Sequence, residues 1–375
     1  MQITGIGVSL PSRRVCNDEI IDLIKFYSRQ LSKKELSEVT DEAQNLLNQA
    51  GSQTRSWRLD YENPEILIAE AFTKASEQSH IAKNEIDGVI YASIHRLFLE
   101  PASASSVCDR LGIKPKHSFD ILDACMGWCS AIEVAKQFLF NGIWKNALII
   151  TSEFPIEKNG VIIPGCFSIK SPDELETKFA GLTMGEGATA TFLSASEKDW
   201  SFTRCEEPGL SSLCTVPLRN MNSYQAELDK LALNGPDVFS AKALDMAKRG
   251  FRPGVQVFKE YIAQHGIPDV IIPHSVSTLV PLRAAQRFGL GERVFNTFSE
   301  LGNLSTSSVP TSICAAIHRN RITQNDHLAG WIASAGMKFC AMNIHLHPQL
   351  LMSATDQVER QKLVKKLITN TESFV

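Results

Sequence analysis

One cysteine stands where an apolar strand pattern gives way to a helical one. In Phe119-Asp-Ile-Leu-Asp-Ala-Cys-Met-Gly-Trp128 the β-type run ends at Asp123. After Cys125 the apolar residues Trp128, Ile132, Ala135, Phe138 and Leu139 recur at helical spacing until Asn141-Gly142 stops them. The spacing puts Cys125 in the helix's first turn. Unpaired backbone N–H groups and the positive end of the helix dipole stabilise a thiolate there, and the same N–H groups can hold an oxyanion once the sulfur is acylated. His274 follows Val270-Ile-Ile-Pro273, so it leaves the end of a buried strand where proline halts the ladder. Asn303 lies in Leu301-Gly-Asn-Leu-Ser-Thr-Ser-Ser-Val-Pro310, a tight turn at Gly302 followed by serines that can cap a helix and a proline suited to its first turn. Singly, His274 reads as a core or loop histidine and Asn303 as a turn residue. Together with Cys125 they make coherent chemistry. A thiolate takes an acyl group from a thioester, and a neutral imidazole and a carboxamide stabilise the enolate of a second thioester, so that a carbon–carbon bond can form.

What could gather three such distant residues is a repeat. The first half offers short β-type runs at Ile86–Tyr91, Phe119–Asp123, Ala147–Ser152 and Gly185–Leu193; the second offers Asp269–Pro273, Val294–Phe298, His327–Gly336 and Met337–His345, with helical patterns between them. Asp87 and Cys125 are 38 residues apart, Asp269 and Asn303 are 34 apart, and on this spacing Asn303 corresponds to Cys125. Strands alternating with helices call for mostly parallel sheets covered by helices, and two packed halves give a layered α/β/α/β/α arrangement with ligands at the strand carboxyl ends. The boundary falls in the polar stretch 194–201, which divides the chain into an N-terminal half, 1–197, carrying the cysteine and a C-terminal half, 198–375, carrying the histidine and asparagine. Residues 28–50 read as a polar helical insertion and 349–375 as a charged C-terminal helical extension, both surface decoration or interface.

At 375 residues, 43% hydrophobic, the chain can bury two cores of ordinary size. A net charge of −3 with no dense Lys/Arg run argues against nucleic acid as a partner. The absence of a signal-type start or an apolar run of spanning length leads to the expectation of a cytoplasmic protein without membrane contact. The nine cysteines lack zinc spacing and are odd in number, against both a metal site and a disulfide framework.

The ordered motifs Asp-Ala-Cys-x-Gly, Pro-His and Gly-Asn-x-Ser-x-x-Ser-Val-Pro, with an opening Ile3-Thr-Gly-Ile-Gly-Val-Ser-Leu-Pro and an internal Gly185-Glu-Gly-Ala, resemble those of β-ketoacyl-acyl carrier protein synthase III and its thiolase-fold relatives across about residues 1–345. The resemblance implies a homodimeric acyltransferase of the ketosynthase type acting on coenzyme A or acyl carrier protein thioesters, with no bound cofactor. Cys125 would be the acyl acceptor, His274 and Asn303 the activators of the second substrate, and the backbone N–H groups of Cys125 and Ala335 the oxyanion hole. Arg55 and Trp57 resemble the region that holds the nucleotide end of coenzyme A. Three departures stand out. Ser275-Val-Ser277 replaces the family's Gln-Ala-Asn after the histidine. Cys340 lies too far past the Ala335-Gly336 turn to be the second cysteine of a thiolase. Glu100, before Pro101, replaces an apolar residue on a loop that in the family enters the partner subunit's acyl pocket. A carboxylate there looks like the acyl-condensing enzymes of long-chain olefin and α-pyrone formation, where it is the base. A donor without a carboxyl group to lose must lose an α-proton, and Glu100 could take it. The reading is therefore a non-decarboxylative ketosynthase working by ping-pong acyl transfer and Claisen condensation. Alternatives are decarboxylative condensation with a malonyl thioester, acyl transfer to a small-molecule hydroxyl or amine, and an inactive partner subunit of a mixed dimer.

Overall fold

The computed structural model describes residues 1–218, 234 and 237–351. Two main sheets organise them. The first contains β1 (Gln2–Ser9), β2 (Gly88–Ala92), β3 (His117–Ile121), β4 (Asn146–Glu153) and β5 (Gly187–Ser194). The second contains β6 (Phe202–Glu206), β7 (Val270–Pro273), β8 (Leu328–Ser334) and β9 (Lys338–Ile344). Around them pack α1 (Asn17–Tyr27), α2 (Lys33–Ala50), α3 (Pro64–Ser79), α4 (Ser103–Leu111), α5 (Gly127–Phe140), α6 (Leu175–Leu182), α7 (Ala243–His265), α8 (Leu279–Gln286) and α9 (Ser308–His318).

The strand order is β1-β5-β4-β2-β3 in one sheet and β6-β9-β8-β7 in the other. In each, the strands on one side run parallel (β3, β2 and β4; β7 and β8), and the two on the other side join by antiparallel pairing (β5 on β4 and β1 on β5; β9 on β8 and β6 on β9). The second sheet has no full counterpart of β3. In its place a single parallel bridge joins Ile271 to Val294. The strand expected over Val294–Phe298 stops there because the Asn296 side chain accepts the Phe298 N–H (3.2 Å) and turns the chain into a short helix, Phe298–Leu301. The duplicated topology is otherwise complete.

Side-chain alternation along these strands sorts the apolar residues into separate cores. Ile90, Ile149, Leu193, Ile272, Ile332 and Met342 face a central layer of α5 and α9. Their neighbours Val89, Tyr91, Leu148 and Ile150 face α3 and α4 on the outside of the first sheet. Ile271, Trp331 and Phe339 face α7 and α8 on the outside of the second. Helix, sheet, helix, sheet, helix is therefore the sequence of layers, and both faces of each sheet are dry. The strands' near-continuous apolar runs follow from that double burial.

A fourth core corrects the reading of residues 28–50 as surface decoration. Ser32 and Glu35 form a capping box at the start of α2, Gly51 ends it in the left-handed conformation, and Val39, Ala43 and Leu47 pack with α1, Trp57, Phe167 and Leu175. The segment is amphipathic, with its polar face outward, and that face dominates its composition. Of the C-terminal extension, residues 352–375 lie outside the described residues, Leu363, Leu367 and Ile368 among them. No helix among the described residues is long and apolar enough to cross a membrane.

Candidate active site

Cys125 sits in a 3-10 turn, Ala124–Met126, that leads directly into α5. The turn is entered through Ala124, whose φ of +43 is left-handed. The second half repeats this geometry at Ser305–Ser307, entered through Ser305 at φ +49 and leading into α9. The repeat is fixed by equivalent latches. Asp87 accepts the Lys145 N–H ahead of β4, and Asp269 accepts the His327 N–H ahead of β8. Under this equivalence Cys125 corresponds to Thr306, 37 residues beyond Asp269, rather than to Asn303. The expected symmetry partner is thus displaced by three positions, although Asn303 stays in the same cluster.

The two elbows abut. A side chain at Gly127 would meet Thr306 Cγ2 at 2.7 Å, so only glycine permits the approach. Ser305 Oγ lies 3.7 Å from Cys125 Sγ, and the Ser305 backbone N–H donates to Asn303 Oδ1 (2.9 Å). That bond occupies the carboxamide oxygen of Asn303 and leaves its NH₂ end as a donor. Gly302, at φ +71, makes the turn possible: a Cβ there would lie 2.4 Å from the Thr183 carbonyl. The Asn303 N–H donates to that same carbonyl (2.8 Å).

Burial pushes the Cys125 thiol up to about 11; the Ser305 hydroxyl and the backbone N–H groups of Ala335 and of Cys125 itself oppose this, while the nearby Glu153 carboxylate adds to it. Both expected backbone donors therefore lie at the sulfur. The β8–β9 turn that carries Ala335 is tied to the elbow, since Ser334 Oγ accepts the Met126 N–H (3.2 Å). His274 leaves the carboxyl end of β7, next to β8, with its own N–H on the Trp331 carbonyl (3.0 Å). Its ring is buried, and neither nitrogen has a hydrogen-bond partner among the described residues. Desolvation lowers its pKa to about 4, so the imidazole is neutral. A buried neutral ring with free nitrogens is suited to donate to, or accept from, a bound substrate.

Glu100 is exposed on the loop between β2 and α4. The nearest cation in sequence, Arg96, is committed to Asp120 (3.1 Å), whose two oxygens also cap α4 through the N–H groups of Ser103 and Ala104 (2.8 Å each). Arg55 and Trp57 are corrected. Arg55 is fully buried, donating to Asn17 Oδ1 and Ser52 Oγ (3.0 Å each), and desolvation lowers its pKa to about 10. The Trp57 indole donates to the Met184 carbonyl (2.8 Å) inside the α1–α2 core. Their strand, Thr54–Trp57, lies against the Phe298–Leu301 turn through Thr54 Oγ1 and the Glu300 carbonyl (2.7 Å), so both side chains support the Asn303 segment from below and neither can meet a nucleotide. Neutral amide and hydroxyl acceptors take the two terminal nitrogens of the Arg55 guanidinium, while its Nε has no hydrogen-bond partner among the described residues, and no acidic neighbour in sequence marks it as buried.

All nine cysteines are free. Cys340 lies in the central core with its sulfur 3.5 Å from that of Cys129. Sequence reading missed three residues at the site: Ser305, Glu153 and Cys214, whose thiol is raised to about 12 by burial and by proximity to Cys125. The nine-residue motif around Asn303 contains Ser305, but its contact with a sulfur 180 positions away is visible only once the elbows meet.

The family model described as 3-oxoacyl-[acyl-carrier-protein (ACP)] synthase III C terminal matches residues 265–346. Beta-ketoacyl-[acyl-carrier-protein] synthase III of Desulfitobacterium hafniense is 28% identical over 281 residues, covering 69% of this chain and 76% of the relative. The enzyme of that name from Clostridium perfringens is 25% identical over 355 residues, covering 87% and 93%. The chain is thus similar in sequence to the synthase III-like condensing enzymes. Solved structures give the fold of this synthase III-like chain the same neighbours. OleA of Xanthomonas campestris, in a cysteine-to-serine variant with bound lauric acid and lauroyl-CoA, superposes with a TM-score of 0.76 at 19% identity, covering 92% of this chain and 98% of that one. FabH of Xanthomonas oryzae does so with 0.74 at 19%, covering 91% and 97%. The thiolase fold of the synthase III-like protein is thereby established.

Proposed function

We propose that this ketosynthase joins two acyl thioesters without decarboxylation. Cys125 takes the first acyl group, and the N–H groups of Cys125 and Ala335 hold its oxyanion. His274 and the Asn303 carboxamide bind the carbonyl oxygen of the second thioester as its enolate forms, and Glu100 of a partner protomer removes the α-proton. The enolate carbon then attacks the acyl-cysteine, the C–S bond to Cys125 breaks, and a β-keto product leaves. The observation that carries the reading is the meeting of the two elbows, which puts the buried Asn303 amide two residues from the group touching Cys125 while an unpartnered neutral imidazole closes the end of the adjacent strand. The lauroyl-CoA held by the OleA neighbour supports coenzyme A as the first carrier. A homodimer is supported by the outer edge of β3, which pairs with no described strand and is flanked by Leu99, 88% exposed, and by exposed Leu122. The reading places the enzyme in the cytoplasm.

The test is to incubate the pure protein with one saturated acyl-CoA. An acyl mass on Cys125, lost in Cys125→Ala, and a self-condensed β-keto acid or its derived ketone are expected. A second reading is favoured by the names of the curated relatives and by the exposure of Glu100: decarboxylative elongation with a malonyl thioester. Labelled carbon dioxide released from malonyl thioester, with no product from acyl-CoA alone, would establish that reading instead.

A further inference from the structure

We propose that Ser305 is a further catalytic residue, whose hydroxyl donates to the Cys125 sulfur and favours the thiolate form through which it reacts. The inference rests on Cys125 being the acyl acceptor. Ser305 Oγ is 3.7 Å from Cys125 Sγ, and that sulfur is its only hydrogen-bond partner among the described residues. Ser305 is buried, so water does not compete for the hydroxyl. His274 cannot serve in its place in this structure, because neither of its ring nitrogens contacts a donor or an acceptor.

The duplication supplies an internal control. Ala124 occupies the position equivalent to Ser305 and adopts the same left-handed conformation, φ +43 against φ +49. An elbow of this shape is therefore built with a methyl side chain, and the backbone does not need the Ser305 hydroxyl. What the backbone of Ser305 does provide is the N–H that orients Asn303, a bond any residue but proline would keep. The two roles separate: the N–H belongs to the condensation step and the O–H to acyl capture. In acyl capture the Sγ–C(acyl) bond forms and the bond from the acyl carbon to the carrier's sulfur breaks. The proton given up by Cys125 ends on the departing carrier thiolate. Ser305 donates a hydrogen bond to sulfur throughout and is itself unchanged. A buried thiol without such a donor would ionise at still higher pH.

The experiment is the pH dependence of Cys125 alkylation by iodoacetamide, followed by peptide mass mapping, in the full chain and in Ser305→Ala. The expected result is alkylation about tenfold slower at pH 7.5, the loss of roughly one hydrogen bond to a charged group, with the profile displaced to higher pH. Single-turnover acylation by an acyl-CoA should slow by a similar factor. Condensation starting from acyl-Cys125 should stay within about twofold, because the Asn303 bond is kept; a role confined to packing would slow both steps together. Ser305→Gly, which relieves the left-handed strain, must give the same displacement. Alkylation profiles identical to the unmodified chain's in both variants would overturn the inference while leaving acylation of Cys125 standing. No acyl mass on Cys125 in any of the chains would remove the acceptor role and the inference with it.

Discussion

His274 is held neutral by burial alone, and this has a consequence for stability as well as for chemistry. Its pKa is about 4 in the folded chain against 6.5 when exposed. Above pH 6.5 both folded and unfolded chains carry it neutral, and the difference contributes nothing. As pH falls from 6.5 towards 4, the unfolded chain binds a proton that the folded chain refuses, so stability declines by up to about 3 kcal/mol. His274→Asn should lack this decline. Urea unfolding midpoints of the two chains, equal in trend at pH 7 and 8, should diverge between pH 6 and 4.5, with the variant falling less. Parallel trends down to pH 4.5 would show that the ring is solvated or paired. The same neutrality keeps an N–H donor available around neutral pH, whereas an imidazolium would protonate the enolate it is proposed to stabilise.

At the level of elements, the site is a collision of two strand-to-helix elbows, and its tolerance is set by one methyl group. Gly127→Ala would press Cβ to 2.7 Å from Thr306 Cγ2. The expected cost is about 1–3 kcal/mol, together with slower acylation of Cys125 as the elbow shifts. Thr306→Ser removes that methyl but keeps the hydroxyl that donates to Glu153. The double variant should recover most of both losses, and thermal unfolding with an acylation assay would detect the coupling. Additive losses would mean that the elbows do not touch. Much of this level was legible in the sequence. The strand runs, the helix after Cys125 and the repeated order are local apolar patterns, and the structure reproduces them. What escaped were relations that local pattern does not encode. The likeness of the two turns pairs Asn303 with Cys125, yet the 38-residue spacing counted from Asp269 ends at Ser307, beside Thr306, so chemistry and equivalence part by three positions. Arg55 and Trp57 look exposed in a polar stretch, yet the ribbon pairing residues 13–16 with 54–57 carries them inside. Ser305 declares itself only through a partner in the other half.

The whole molecule shows how duplication divided the chemistry. The two halves keep their latches, elbows and strand order, but Cys125 faces Thr306 in the equivalence, and Ala92 at the end of β2 faces His274 at the end of β7. Each half alone holds part of a site, and the reading given to Glu100 extends that division to a second chain. Glu100 projects beside β3, exposed, from a loop anchored by Glu153 to the Ile94 N–H (3.0 Å) and by Arg96 to Asp120. If two β3 edges meet across a twofold axis, the loop of one protomer reaches the other's cleft. Mixing two inactive variants decides the matter. In a dimer of Glu100→Gln with Cys125→Ser, the site built on the intact cysteine receives the intact glutamate from its partner, and the other site has neither. After subunit exchange at equal amounts, half the dimers are mixed and each has one working site of two, so activity should return to about a quarter of the unmodified enzyme's. A glutamate acting within its own chain gives no site with both groups in any dimer, and the mixture would stay as inactive as its components.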